Sequence, residues 1–218
     1  VDTIDKLVRI IESPYRSLTE NAFYNIYKHI NKNTRVKVLL NGEGSDEMFS
    51  GYTNHYYHYL CGLLSQFKIF TFATEFFHIN NRYKDGGRGG SICLIMNIIK
   101  TFIIKWNLRK YFKKNKFFTK NYEINRIKIL KNSLKNELFI NRNIASLPEY
   151  LNYSDKISMN FSLEARLPFL DYRLVELANG LSDDELIKNG VTKYTLRESI
   201  KKVIPKSVYK RKDKKGFF

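Results

Sequence analysis

Residues 36–52 read VKVLLNGEGSDEMFSGY, an apolar run followed at once by three glycines interleaved with three acidic residues. The apolar part predicts a short buried strand over Arg35 to Leu40. A helix is predicted before it over residues 19–31, with Thr19 as its N-cap. A helix, a strand and a glycine-rich turn in this order indicate an α/β layout, in which ligands bind at the carboxyl end of the strand. Later in the chain, helices are predicted over residues 148–161, 171–179 and 193–203, and Asp171 can cap the second of them.

The turn combines features of a phosphate site with features of a metal site. Gly42 and Gly44 allow a tight turn and a close approach of the backbone to a ligand, and N–H groups exposed in such a turn bind phosphate oxygens. The carboxylates of Glu43 and Asp46 would repel a phosphate unless a divalent cation lay between them, and Mg²⁺ binds one or two carboxylates together with phosphate oxygens. The turn therefore indicates a metal–nucleotide site. The alternative is a surface turn in which Asp46 and Glu47 only complement a helix N-terminus.

Two later stretches place charges where they need an explanation. Residues 158–178 read SMNFSLEARLPFLDYRLVELA, and Glu164 within this apolar run is expected to be buried and therefore paired or functional. The alternative is a structural pair with Arg166 or with a lysine. Residues 209–218 read YKRKDKKGFF, which is either a basic, solvated tail or the source of a lysine that reaches phosphates.

Length, composition and charge limit the classes of protein. The 218 residues fit one domain of ordinary size, and 43% hydrophobic residues suffice for a core. A net charge of +17 favours anionic partners. Cys61 and Cys93 form no CxxC motif, which is typical of free thiols in a reducing compartment. No signal peptide is visible, and the longest apolar run, 92–104, is too short to cross a membrane. We therefore expect a cytoplasmic protein.

Three segments, taken in order, resemble the synthetase domain of glutamine-dependent asparagine synthetases. LLNGEGSDEMFSGY (39–52) is similar to the family's (L/S)GEG(A/S)DE(L/I)FGGY. YSDKISMNFSLEARLPFLDYRLVELA (153–178) is similar to its R-x-D-x-x-S-M-x-x-S-x-E-x-R-x-PFLD-x-R-L-V-E block. KYTLRESIKKVIPKSVYKRKDKKGFF (193–218) is similar to its K-x-x-L-R and R-K-D-K-x-GF ending, and IIESPY (10–15) to its EEP(F/Y). The resemblance covers about residues 1–60 and 148–218.

The resemblance implies both a fold and a reaction. The fold is α/β and helix-rich, a part of an adenine-nucleotide alpha-hydrolase-like (PP-loop ATP pyrophosphatase) domain with a largely helical C-terminal half. It implies a nucleotide-site half (1–60), a basic aromatic helical insertion (61–147) and a helical substrate and catalytic part (148–218). In the implied reaction, aspartate attacks ATP to give β-aspartyl-AMP and pyrophosphate, and ammonia derived from glutamine displaces AMP.

The resemblance also assigns roles to individual residues. Asp46 takes the position of a Mg²⁺ ligand. Glu43 takes the place of a catalytic residue beside the substrate and the α-phosphate, and Glu164 matches a buried glutamate near the reacting centre. Lys214 matches a lysine that stabilises charge on the α-phosphate and the acyl-adenylate. The contacts to the nucleotide fall on Gly42, Glu43 and Gly44.

The sequence departs from the family pattern in four respects. Asn41 replaces a serine, and Ser50 replaces the first glycine of FGGY. The family's pyrophosphate-binding loop, S-G-G-x-D-S, does not occur in these 218 residues, and neither does the glutaminase domain with its N-terminal cysteine. We therefore expect these residues to be the C-terminal part of a synthetase domain, without glutaminase activity and with weak or no synthesis unless the upstream part is present.

Three alternatives stay open. Another ATP-dependent amide ligase is one, although β-lactam synthetases have Tyr at the position of Glu43, which favours an asparagine synthetase. Residues 100–135 carry twelve Lys or Arg and one acid between aromatic residues, so they could bind nucleic acid. A helical hairpin with its lysines outside is the favoured explanation, so nucleic acid is not an expected partner. The third alternative is an inactive fragment. The oligomeric state is open, with a homodimer as one option.

Overall fold

The computed structural model describes residues 2–15, 17–84, 95–96, 98–100, 103 and 133–211. Its larger helices are α1 (Asp2–Ile11), α2 (Leu18–Asn33), α4 (Thr53–Ser65), α5 (Ile69–Lys84), α6 (Leu134–Asn143), α7 (Ser146–Asn160) and α8 (Tyr172–Gly180). The shorter ones are α3 (Ser45–Phe49), α9 (Asp183–Leu186), α10 (Tyr194–Ile200) and α11 (Lys206–Tyr209). The strands are β1 (Val38–Leu40), β2 (Glu164–Arg166), β3 (Ile187–Lys188) and β4 (Val191–Thr192). The prediction of a helix-rich α/β fold is confirmed.

A parallel pair of strands joins two segments that are distant in the sequence. β1 and β2 pair in parallel with Val38 opposite Glu164 and Leu40 opposite Arg166. The ladder continues one residue further, because the N–H of Asn41 donates to the carbonyl oxygen of Arg166 at 2.9 Å. The start of the glycine-rich turn is therefore held by the strand that follows α7.

The expectation of a buried strand over Arg35 to Leu40 was wrong in extent and in burial. Only Val38–Leu40 forms the strand, with Val38 40% exposed and Leu40 74% exposed. Leu39 points the other way and packs against the core. Successive side chains of a strand face opposite sides of the sheet, and in the described part of the chain helices cover one side only. An apolar run indicates that a strand is suited to burial. It does not show which face of the sheet other elements of the fold will cover.

The helix predictions near the site are confirmed apart from one cap. α7, α8 and α10 fall where helices were expected over residues 148–161, 171–179 and 193–203, although α10 ends at Ile200. Asp171 caps α8 as expected, since its carboxylate accepts a hydrogen bond from the N–H of Arg173 at 3.0 Å. The expectation that Thr19 caps α2 was wrong, because the helix begins at Leu18 and Ser17 holds the N-cap position.

Two hydrophobic clusters stabilise the fold. In the first, α7 packs against α1, α2 and β2, and its members include Leu7, Tyr27, Tyr153, Ile157 and Leu163. The second is built around α4, α5, α6 and α8, and its fully buried members include Tyr56, Tyr59, Leu60, Ile79, Leu134, Leu138, Leu186 and Ile187. The turn from β1 to α3 lies between them, because Leu39 packs on the first cluster and Met48 and Phe49 belong to the second.

The three-part division of the chain stays a prediction. Its first boundary, at residues 60 and 61, falls inside α4. Most of the basic segment 100–135 lies outside the described residues, as does Cys93, whereas Cys61 is buried in the second hydrophobic cluster. No helix in the described ranges is both long enough and apolar enough to cross a membrane.

A buried glutamate attaches the β3–β4 hairpin to α5. Asn189 and Gly190 form the turn, both with positive φ (50° and 72°), as the Asn-Gly type I′ turn requires. Their N–H groups donate to the carboxylate of Glu75 at 2.8 and 3.0 Å, and the hydroxyl of Tyr56 donates to it at 2.5 Å. A Cβ at Gly190 would approach the backbone of His78 to 3.1 Å, so the turn sits directly on the helix.

We expect Glu75→Gln to lower the free energy of unfolding by about 2 kcal/mol, because an amide group would turn N–H donors toward the N–H groups of the hairpin. Chemical denaturation monitored by circular dichroism measures the change. Asn81→Ala, at an exposed position of the same helix, serves as the control and should have little effect. Equal stability of Glu75→Gln and the parent protein would contradict this account of the hairpin.

Candidate functional site

The glycine-rich turn leaves β1 at its carboxyl end and enters α3, and the fold requires a glycine at one of its positions. Gly44 has φ +85°, and a Cβ there would lie 2.4 Å from a methyl group of Leu170. Gly42 is different, because a Cβ there would meet no atom within 4 Å. Packing therefore explains Gly44, whereas the open space at Gly42 leaves its backbone accessible to a ligand, as the sequence predicted for this turn.

A cavity of about 290 Å³ opens at this turn. Acidic and aromatic side chains form most of its wall, and it is bounded on the far side by α2 and α7. Gly42, Glu43, Gly44 and Asp46, which the sequence analysis assigned to a metal–nucleotide site, all line this cavity, and their roles stay a prediction. The residues that line the cavity are Thr19, Phe23, Gly42, Glu43, Gly44, Asp46, Glu47, Tyr52, Tyr150 and Tyr153.

Glu43 has the least satisfied carboxylate of this wall. Both of its oxygens are shielded from solvent and neither has a hydrogen-bond partner within the described structure. Burial raises the pKa of Glu43, the Ser154 hydroxyl nearby lowers it in part, and the charge of Glu47 raises it further. The Ser154 contact falls outside hydrogen-bond geometry, because its oxygen also has no partner. Buried polar atoms are normally paired, so Glu43 is suited to accept a proton or a positively charged group from a ligand.

Asp46 and Glu47 have partners that Glu43 lacks. The Nζ atom of Lys193 lies 2.6 Å from Oδ1 of Asp46 and donates to Oγ of Ser45 at 2.9 Å. Glu47 is buried and accepts a hydrogen bond from the Tyr52 hydroxyl at 2.6 Å. No motif in the sequence predicts a role for Lys193, although it is the first residue of the KYTLR stretch that resembles the family.

The pKa values of two tyrosines in the wall are raised, first by burial and then by the acids around them. Burial raises the pKa of Tyr52, and the hydrogen bond to Glu47 raises it further. Burial also raises the pKa of Tyr153, and the neighbouring Tyr150 and the carboxylates of Glu43, Glu20 and Glu47 add to the effect. The cavity therefore favours a cation, in a protein whose net charge is strongly positive.

The expectation that Glu164 is buried was wrong. Its side chain is 56% exposed on β2, and its Oε1 lies 2.8 Å from Nε of Arg166. That ion pair lowers the pKa of Glu164. The two residues are separated by one position in the strand, so both lie on the uncovered side of the sheet, and Glu164 does not line the cavity. The structure thus shows the alternative that the sequence left open, a pair with Arg166.

Lys214 lies outside the described residues, so its role stays a prediction. The described chain leading to it is held by Arg197, whose Nη1 donates to the carbonyl oxygens of Tyr209 at 3.1 Å and Arg211 at 3.3 Å. Nε of the same guanidinium donates to the carbonyl oxygen of Thr192 at 3.1 Å. Arg197 therefore connects the end of α11 to the residue that precedes Lys193.

The described residues contain no group of three or more His, Cys, Asp and Glu side chains arranged to hold a metal ion. Asp46 on its own still fits Mg²⁺, which takes one or two carboxylates and completes its shell with phosphate oxygens and water. The carboxylate of Asp46 is 26% exposed and faces the cavity, so it is accessible to an ion that arrives with a nucleotide.

Comparison with known proteins identifies the class to which this fold and site belong. The asparagine synthase family model matches residues 1–218. The chain therefore belongs to the asparagine synthase family, as its motifs predicted.

Individual relatives agree with the family. Asparagine synthetase [glutamine-hydrolyzing] 1 of Bacillus subtilis (strain 168) is 28% identical over 241 residues, which cover 100% of this chain and 36% of that protein. Provisionally named asparagine synthetases [glutamine-hydrolyzing] of Mycobacterium bovis and Mycobacterium tuberculosis are each 41% identical over 64 residues, 29% of this chain and 10% of theirs. The chain thus spans about a third or less of the length of these relatives.

We expect Ser50→Gly to raise the free energy of unfolding by about 1 kcal/mol. Ser50 ends α3 with φ 62°, and its buried hydroxyl has no partner in the described structure. Glycine removes the cost of the left-handed conformation and of the unpaired hydroxyl, and these gains exceed its own entropic cost. Thermal denaturation measures the change, and Ser50→Ala, which removes only the hydroxyl, should gain less. A less stable Ser50→Gly variant would contradict this explanation.

We expect Glu43→Gln to stabilise the protein at neutral pH. Because burial raises the pKa of Glu43, the wild type loses stability as the pH rises from the ordinary carboxyl value through the raised one. The variant has no proton to lose there, so its advantage should grow over that pH range and then level off. Denaturation at a series of pH values tests this, with Glu176→Gln on the exposed face of α8 as the control. A pH-independent difference would show that Glu43 is not destabilised by its burial.

Proposed function

We propose that this chain carries the adenylating site of an ATP-dependent asparagine synthetase. The β-carboxylate of aspartate attacks the α-phosphorus of ATP, forming β-aspartyl-AMP and releasing pyrophosphate, and ammonia derived from glutamine then displaces AMP. The observation that carries the proposal is the acidic cavity at the end of β1, where the unpartnered carboxylate of Glu43 lies beside Asp46. Membership of the asparagine synthase family supports the reaction, and the cavity supports its location.

In the first step an anionic carboxylate approaches the anionic triphosphate of ATP, so the site must supply positive charge. In our proposal Asp46 holds Mg²⁺, and the open backbone at Gly42 lies against the phosphates with Gly44 shaping the turn. When bound, Mg²⁺ reduces the repulsion between the phosphates and the attacking carboxylate. Lys214 is proposed to add positive charge at the α-phosphate, as the family motif around it implies.

Glu43 is proposed to act on the nitrogen of the second step. Its pKa is raised by burial, so its carboxylate is a stronger base than an exposed one. Among the described residues, no hydrogen-bond partner of Glu43 competes for a proton or for an ammonium group. We propose that Glu43 orients the substrate and accepts a proton as ammonia attacks the acyl-adenylate.

We assign no catalytic role to Glu164, because its carboxylate pairs with Arg166 on the uncovered side of the sheet. That uncovered side supports the proposal that further chain completes the working site, including an upstream PP-loop segment and a glutaminase domain. The three-part division into nucleotide-site half, insertion 61–147 and catalytic part 148–218 is proposed on a different basis, because the resemblance to the family covers about residues 1–60 and 148–218.

A second candidate is another ATP-dependent amide ligase of the same superfamily. The acid at position 43 favours an asparagine synthetase, but the residues that line the cavity do not specify which carboxylic acid is the substrate. An inactive fragment is the third alternative. These three candidates differ in their dependence on aspartate, which the exchange of pyrophosphate into ATP measures directly.

We expect the full-length protein to catalyse aspartate-dependent exchange of pyrophosphate into ATP, and Asp46→Asn to reduce it by about 100-fold through lost charge stabilisation at the phosphates. Asp5→Asn, an exposed acid on α1, is the matched control and should retain the parent rate. Exchange with a different carboxylic acid in place of aspartate would assign the chain to another amide ligase. No exchange with any carboxylic acid would identify an inactive protein.

A further inference from the structure

Lys193 contacts the acidic turn from a distant part of the chain. Its Nζ atom lies 2.6 Å from Oδ1 of Asp46 and donates to Oγ of Ser45 at 2.9 Å. The lysine side chain is only 21% exposed, so the pair is largely shielded. A shielded ion pair on the residue proposed to bind a cation needs an explanation beyond surface charge.

The backbone around Lys193 is held in an unusual conformation that aims this side chain. Lys193 follows β4 with φ 55°, a left-handed conformation that is unfavourable for a residue with a Cβ. The N–H of Arg197 donates to its carbonyl oxygen at 2.8 Å, and Nε of Arg197 donates to the carbonyl oxygen of Thr192 at 3.1 Å. The hairpin that precedes Lys193 is in turn held by Glu75. Two independent attachments therefore fix the base of the lysine.

Gly51 provides the space for the pair. A Cβ at this position would lie 1.7 Å from Oδ1 of Asp46 and 2.3 Å from Cε of Lys193. The φ of Gly51 is not positive, so its backbone conformation does not require glycine. The absence of a side chain at Gly51 is therefore explained by the room that the ion pair occupies.

We propose that Lys193 is a positioning residue that makes cation binding at Asp46 depend on the nucleotide. The lysine holds the carboxylate in place and neutralises it, so a divalent cation gains little by binding before the triphosphate adds its negative charge. Once a nucleotide is present, the added anionic charge offsets the repulsion between the cation and the ammonium group. This inference rests on the proposed function, because it assumes that Asp46 is a metal ligand.

The test measures Mn²⁺ binding to the full-length protein by electron paramagnetic resonance, first without nucleotide. Lys193→Met keeps the length of the side chain and removes its charge. Because the ammonium group of Lys193 lies against the carboxylate that would hold the ion, removing its charge removes a repulsion, and we expect the variant to bind Mn²⁺ about tenfold more tightly than the parent protein. Lys188→Met, on the same hairpin with its Nζ over the Tyr194 ring, is the matched control and should bind as the parent does.

The second measurement adds a non-hydrolysable ATP analogue. We expect the affinities of Lys193→Met and the parent protein for Mn²⁺ to differ by less than about threefold, because the nucleotide then dominates the local charge. Lys193→Arg, which keeps the charge and the donors, should behave as the parent in both conditions. It also keeps the proposal testable if the methionine variant fails to fold, since an Arg variant that bound free Mn²⁺ tenfold more tightly would overturn it.

The outcomes separate this inference from the proposed function. Unchanged or weaker binding of free Mn²⁺ in a folded Lys193→Met variant would overturn the role of Lys193 while aspartate-dependent exchange by the parent protein persisted. If Asp46→Asn left Mn²⁺ binding unchanged, with and without the analogue, Asp46 would not be a metal ligand and both proposals would fail. Tighter binding in Lys193→Met that disappears in the double variant with Asp46→Asn would support the inference.

Discussion

The parallel pairing of β1 with β2 is the constraint on which the rest of the structure depends. It is only three residues long on each strand, yet it joins segments that are distant in sequence and fixes where the chain must turn toward α3. Asn41 extends the ladder, so Gly42 is the first residue free of it. The backbone beyond is shaped by Gly44 and by its contact with Leu170. The short pairing of β1 with β2 thus fixes the start of the turn that carries the acidic side chains.

The three acids of the turn are treated in three different ways by their surroundings. Asp46 is neutralised by Lys193 and Glu47 is hydrogen-bonded to Tyr52, whereas Glu43 has no hydrogen-bond partner in the part of the chain that the structure describes. The hydrogen bond between Glu47 and Tyr52 has a structural role, and the ion pair of Asp46 has the role proposed above for Lys193. The buried carboxylate of Glu43 lowers the stability of the fold, and unsatisfied polar groups of this kind are typical of ligand-binding sites. The position of the unsatisfied group is therefore informative about function as well as about stability.

The local sequence pattern predicted the helices and the glycine-rich turn. The exposure of side chains and the long-range ion pair depend on contacts between residues that are distant in the sequence. The periodicity around α7 and the capping role of Asp171 could be read directly, since both depend on neighbours within a few residues. The exposure of Leu40 and Glu164 could not, because it depends on which faces of a two-stranded sheet other elements cover. The ion pair of Lys193 could not be predicted for a related reason, since its partner Asp46 lies in another part of the chain.

The uncovered side of the β1–β2 sheet has a consequence for how the polypeptide behaves in solution. Val36, Val38 and Leu40 are 44%, 40% and 74% exposed, and within the described residues β1 pairs with β2 alone, so its other edge is open. An open edge beside aliphatic side chains is a template for pairing with further strands, including those of other molecules. The colloidal behaviour of these 218 residues therefore depends on what covers a few aliphatic groups as well as on their large positive charge.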